Sequence, residues 1–232
     1  DQPGESRRGI KDMTYDGELF WAADEDIVYG FSPDGEVQTS FEAPYNPTTI
    51  ITWDCDRECL WLGSTTRDPL GYDRAGNQIE NLEVDRSGLR IYGMSYWQED
   101  PDDSPLYLYH RELETNRQVV HKVNIEEDDT TFVAYLDPEE GGNTQGCFIT
   151  NQFDHLSWVM LGIASISSNE GGDRLNIWQV ANNTGWFNID PDEGVIDAES
   201  TLEFGITLNS TGLIPNEYSG EFVFAHDGIG GL

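Results

Sequence analysis

The chain has 232 residues, 37% of them hydrophobic and 12% aromatic, enough to bury a core in one large domain or in one medium and one small domain. Its 44 acidic residues face only 12 basic ones, for a net charge of -32 at pH 7, which repels nucleic acid and anionic membranes and excludes both as partners. No apolar run reaches the roughly 18 residues a membrane helix needs, and the opening "DQPGESRRGIKD" has no apolar stretch of the signal-peptide kind, so a mature, processed or excised segment is expected.

Lysine occurs only as Lys11 and Lys122. The acidic surface is therefore not balanced by ion pairs and must be neutralised by water and cations, as in brine, seawater or a calcium-rich exterior. From the N-terminus onward the apolar residues come in short runs, "ELFWAA", "DIVYGF", "TTIITW", "CLWLGS", "LYLYHR", "QVVHKV" and "TFVAYL" among them, separated by turn clusters such as "SPDGE", "DRAGN" and "ETNRQ". No window sustains a helical period, and the pattern predicts an all-β chain.

The runs repeat. "TYDGELFWAA" from Thr14 and "TWDCDRECLWLG" from Thr52 share the order Thr, aromatic, Asp, turn, apolar strand, with Trp21 and Trp61 at matching places. Beyond them "YGFSPDGEVQTSF" lies over "LGYDRAGNQIENL", setting Phe31 on Tyr72, Gly35 on Gly76 and Phe41 on Leu82. Looser copies begin at "IYGMSYW" and "GCFIT". A unit of roughly 40 residues holding about four short antiparallel strands has the spacing of a propeller blade. Residues 1–181 are thus expected to form a propeller-like repeat domain of about four blades. After Val180 a Trp-led strand, the turn "PDEG" and alternating strands predict a small sandwich of immunoglobulin type over residues 182–232.

Cys55 and Cys59 stand close in sequence, but the lone Cys147 and the scattered His110, His121, His155 and His226 supply no second ligand pair for zinc. A thioredoxin-like site would need two intervening residues beside a βαβ unit. The repeat places the pair where the first copy has its Gly17 turn, so the expectation is a hairpin disulfide across a three-residue loop, worth about 2 kcal/mol and at home outside the cytosol. Cys147 reads as a buried apolar residue.

Carboxylates are so frequent that any two could be offered as an acid and base pair. Two clusters suit a hard cation better. Asp100, Asp102 and Asp103 in "QEDPDDS", and Glu126, Glu127, Asp128 and Asp129 in "IEEDDT", are candidates for calcium. The alternative is a pair of solvated acidic loops, since neither matches a known calcium-loop spacing. Trp21, Trp61, Trp158 and Trp178 lie inside strand patterns and read as core. Tyr96 and Trp97, at the edge of the first acidic loop, are the candidate ligand patch. Asn182 and Asn209 fit the glycosylation sequon.

The stretch "KDMTYDGELFWAADEDIVYGFSPDGEV", the second copy ending "YDRAGNQ" and the later "WFNIDPDEGVIDAESTLEFGITLNSTGLIPNEYSGEFVF" together resemble the propeller-type repeats joined to Ig-like modules in large secreted or cell-surface bacterial proteins. That resemblance implies a fold and a location, and no catalytic residues. The expectation is a non-catalytic extracellular structural or adhesive protein of a surface layer, filament or secreted assembly, associating with itself or with other surface proteins. The alternative is a carbohydrate-binding or carbohydrate-active propeller that uses Trp97 and loop carboxylates on glycans.

Overall fold

The computed structural model describes residues 9–84, 88–136, 143–154, 157–165, 173–182, 187–191 and 193–210. The chain divides into two compact units, one made of Asp1–Thr150 and Val159–Gln179, the other of Asn151–Trp158 and Val180–Leu232.

Three four-stranded antiparallel sheets lie within the first unit. They are β1 (Met13–Tyr15), β2 (Phe20–Asp24), β3 (Ile27–Phe31) and β4 (Val37–Glu42); β5 (Ile50–Asp54), β6 (Cys59–Ser64), β7 (Arg67–Tyr72) and β8 (Gln78–Asn81); and β9 (Leu89–Tyr96), β10 (Leu106–Glu112), β11 (Gln118–Asn124) and β12 (Asp129–Tyr135). In each, spatial order follows chain order, the meander of a propeller blade. A three-stranded sheet follows, β13 (Asn143–Asp154), β14 (Ser157–Ser165) and β15 (Asp173–Asn182), ordered likewise. The all-β, blade-like repeat read from the sequence is therefore present. In the second unit the described residues form one antiparallel ladder, β16 (Phe187–Asp190) with β17 (Gly205–Leu208). Residues 211–232, on which much of the sandwich expectation rests, lie outside the described residues.

The core sits between the sheets. Every residue of β6 is buried, because alternate side chains along a strand point to opposite faces and this strand has a sheet on each. Cys59 and Trp61 join Ile91, Met94, Leu106 and Leu108 of the third sheet, while Leu60 and Leu62 join Trp21, Ala23 and Val28 of the first. A strand packed on both faces needs no polar alternation, which is why "CLWLGS" reads as a continuous apolar run. Each fully buried Leu contributes about 1.5–3 kcal/mol relative to exposure.

Trp21 and Trp61 occupy equivalent places. Trp21 faces Gly30 across β2 and β3, and Trp61 faces Gly71 across β6 and β7. A Cβ at Gly30 would lie 2.9 Å from Trp21 Cζ3, so the indole lies flat over a position that excludes any side chain. The β3–β4 and β7–β8 turns match as well: Gly35 N–H donates to Ser32 O and Gly76 N–H to Asp73 O, both glycines at φ +84°, where other residues are strained.

Side chains tie the innermost strand β5 to the segment of β1, and β13 to β9. Ile51 N–H donates to Asp12 Oδ2 (3.1 Å) and Trp53 N–H to Thr14 Oγ1 (3.0 Å). Ile149 N–H donates to Ser95 Oγ (2.6 Å). These bonds satisfy inner-edge amides that no neighbouring strand would otherwise reach.

Candidate functional site

One end of the first unit is built by a repeated aspartate. Asp16 Oδ1 accepts the amides of Glu18 (2.8 Å) and Leu19 (2.7 Å), and its Oδ2 accepts Trp21 Nε1 at 2.8 Å. Asp54 accepts the amides of Asp56 and Arg57, each at 3.0 Å, and Trp61 Nε1 at 3.1 Å. Asp100 accepts the amides of Asp102 (3.0 Å) and Ser104 (3.1 Å) and the Tyr107 hydroxyl at 2.6 Å. Each carboxylate thus braces the turn after an innermost strand and ties it to an aromatic residue of the next strand.

Each also meets a cation: Arg74 at Asp16, Arg57 at Asp54, Lys122 at Asp100. Desolvation would raise the Asp16 carboxyl, but the amides of Leu19 and Glu18, the Trp21 indole and Arg74 together hold it below the usual carboxylate range. Burial lowers Lys122, and its bonds to Asp102 and Asp100 outweigh that and raise it.

Because strands alternate in direction, the first and third connections of each sheet share an end, and the cross-sheet contacts show that the three sheets present it together. Arg74, on the β7–β8 turn, reaches Asp16 (2.6 Å) and lies 4.7 Å over the Trp53 ring. Arg57, on the β5–β6 turn, reaches Glu126 on the β11–β12 turn. Tyr96 Oη and Gln98 Nε2 donate to Asp56 at 2.7 and 2.6 Å. This end carries Asp16, Glu18, Asp34 and Glu36 from the first sheet, Asp56, Glu58 and Asp73 from the second, and Glu99, Asp100, Asp102, Asp103, Glu126, Glu127 and Asp128 from the third; its turns add only Arg57 and Arg74. The opposite turns, among the described residues, carry Glu25, Asp26, Glu83 and Glu114 with Arg117.

Two cavities open here. A groove of about 280 Å³ is lined by Asp56, Arg57, Tyr96, Gln98, Asp100, Asp103 and Glu126, with Pro105, Asn124 and Ile125. A larger cavity of about 600 Å³ lies among the innermost strands, lined by Met13, Tyr15, Phe20, Trp53, Met94 and Phe148 together with Thr14, Thr52, Ser95, Tyr96 and Gln98. Burial, then the bond to Asp56, pushes the Tyr96 hydroxyl well above its usual range, so it stays a donor.

The two acidic clusters picked from the sequence converge: Asp100, Asp103 and Glu126 line the same groove. Asp100 and Asp102 are bound by Lys122. Glu127, Asp128 and Asp129 are exposed at the β11–β12 turn. Among the described residues no group of three or more His, Cys, Asp or Glu is placed to hold a metal ion. Tyr96 faces both cavities, whereas Trp97 is 6% exposed and packs against Tyr107 with ring centroids 6.1 Å apart. Sequence reasoning missed Asp16, Asp54 and Asp56. The first two precede the Trp of their repeat by five and seven residues, which marks them in the sequence; Asp56 carries no such mark.

The expected disulfide is corrected. Cys55 and Cys59 are free thiols, as is Cys147. The pair that closes the hairpin is Asp54 with Cys59, so the turn has four residues. Cys55 stands exposed on it, while Cys59 points into the core beside Gly71 and Trp61. Residues so placed do not oppose each other across a ladder. Burial, then Asp54, pushes the Cys59 thiol up to about 12, so it is inert at neutral pH.

No family model and no curated protein matches the chain. Among solved structures it is similar to one in a mitotic checkpoint complex (10% identity, TM-score 0.47, 78% of this chain and 51% of that one), to RRP9 WD40 repeats (11%, 0.47, 76% and 52%) and to a Dos1 propeller (14%, 0.43, 74% and 44%). The aligned chain spans about half the length of these structures. The extracellular, secreted reading, as a structural or adhesive part of a cell-surface layer or filament, is corrected with the disulfide that supported it, since both thiols are free.

Proposed function

We propose that this chain is a non-catalytic, propeller-type protein-binding platform whose acidic end docks a basic segment of a partner protein. The observation that carries the reading is the gathering at one end, among the described residues, of turn carboxylates around the groove at Asp56, Asp103 and Glu126. Blade walls hold these turns rigidly, and the aspartate braces fix their backbones, so little entropy is lost on binding. A field of one sign over a concave surface speeds and orients the approach of an oppositely charged partner.

Calorimetric titration with an oligo-arginine peptide tests this. Binding is expected at low ionic strength, weakened by salt and by the charge reversals Asp103→Lys and Glu127→Lys, and unchanged by Glu25→Lys and Glu114→Lys at the opposite end. Absence of binding, or equal loss from reversals at both ends, would overturn it.

A further inference from the structure

We infer that the acidic groove and the inner cavity form one continuous site, built for a partner segment that carries an aromatic or aliphatic side chain beside its Lys or Arg. The inference rests on the protein-binding reading above and names the chemistry of the partner. Tyr96 and Gln98 line both cavities. Both donate to the Asp56 carboxylate, at 2.7 and 2.6 Å, so the wall between the two spaces is held by a residue that itself lines the groove. These donors are neutral and leave the charge of Asp56 in place. Arg57 offsets the charge of Glu126, to which it is paired as well as to Asp54, and the remaining carboxylates Asp56, Asp100 and Asp103 leave the groove's lining negative.

On the far side of that wall the surface changes character. Met13 is 52% exposed, Tyr15 47% and Phe148 42%, and with Phe20, Trp53 and Met94 they surround about 600 Å³. Apolar side chains left open to water around a concavity gain by being covered. They do not close on one another, because the innermost strands are spaced by fixed hydrogen bonds, Trp53 N–H to Thr14 and Ile149 N–H to Ser95. The cavity is thus preformed, as binding sites for apolar groups generally are. Its polar lining, Thr14, Thr52, Ser95 and Gln98, carries no charge, so a Lys or Arg has no counter-ion inside and stays in the groove, while its apolar neighbour enters.

The test uses three peptides of equal length: one with Arg next to Trp, one with the same Arg content and Ser in place of Trp, and one with Trp and no Arg. Titrated into the chain, the first is expected to bind about tenfold tighter than the second, the yield of burying one large apolar side chain, and the third not to bind. Met13→Ser and Phe148→Ala are expected to erase that tenfold advantage and to leave affinity for the Ser peptide unchanged, with thermal melts confirming that both variants fold. Equal binding of the first two peptides would overturn the inference while leaving the acidic-end reading intact, as would an advantage that survives both variants. Failure of both Arg peptides to bind would overturn the acidic-end reading itself.

Discussion

Trp61 donates its indole N–H to Asp54 Oδ2 at 3.1 Å, and Trp21 does the same to Asp16 at 2.8 Å. The two pairs are one device used twice, and Tyr107 with Asp100 is its third form. An aspartate that accepts two turn amides and an aromatic donor keeps a charge inside the protein without leaving it unsatisfied. Asp54→Ala strands those donors and leaves the Arg57 guanidinium with Glu126 alone, so a loss of about 3 kcal/mol is expected, read as the shift in urea midpoint. A loss within the few tenths typical of a surface site would show that the brace contributes nothing.

Gly30 exists for Trp21. With Thr39 Cγ2 and Trp21 Cζ3 each 2.9 Å from the place a Cβ would take, Gly30→Ala forces the indole or the strand to move, at a cost of about 1–3 kcal/mol. Thermal melting checks it, and an unchanged midpoint would contradict the packing described.

The three cysteines should separate by burial. Iodoacetamide on the native protein is expected to label Cys55 and to spare Cys59 and Cys147 until denaturant is added. Mass spectrometry without reductant that found Cys55 joined to Cys59 would restore the disulfide.

Asp12 gives the fold an unusual pH dependence. Burial pushes its carboxyl up to about 8 from the ordinary 3.8, against the lowering effect of the Ile51 and Met13 amides. The folded state therefore favours the protonated form. The stability this group contributes is fully present below its unfolded value near 3.8 and is lost as pH rises through about 8. Asp12→Asn keeps an acceptor for Ile51 N–H and cannot ionise. Its stability relative to the parent chain should improve steadily between about pH 4 and pH 8 and level off above; a constant difference would contradict the assignment.

The net charge of -32 predicts that salt stabilises the fold, since screening shortens from about 30 Å at 0.01 M to about 3 Å at 1 M. Melting temperatures in sodium chloride should rise over that range, and an indifferent melting temperature would show that the repulsion is not felt. A calcium effect beyond that of sodium at equal ionic strength would mark an oxygen site at residues 100–103 or 126–129.

The blades were legible because their devices are local. A Trp opposite a Gly, a turn with glycine at its fourth place and a strand apolar on both faces all leave marks within a few residues. The cysteine pair misled for the same reason. Spacing gives the distance between Cys55 and Cys59, but whether Asp54 or Cys55 closes the hairpin is a matter of register, and shifting register by one residue turns a side chain to the other face. The groove was harder still, since Arg57 and Glu126 stand 69 residues apart and meet only once the second and third sheets pack. Among so many carboxylates, nothing local set apart Asp56, which holds Tyr96 and Gln98, from those that merely face solvent.

The measurement that tests the account most directly is backbone amide exchange with and without a saturating oligo-arginine peptide. Protection is expected at the turns 55–58, 97–105 and 125–128, with the opposite connections at 43–49, 65–66 and 113–117 unchanged. Protection spread evenly over both ends, or confined to the opposite one, would contradict a binding face built on the acidic turns.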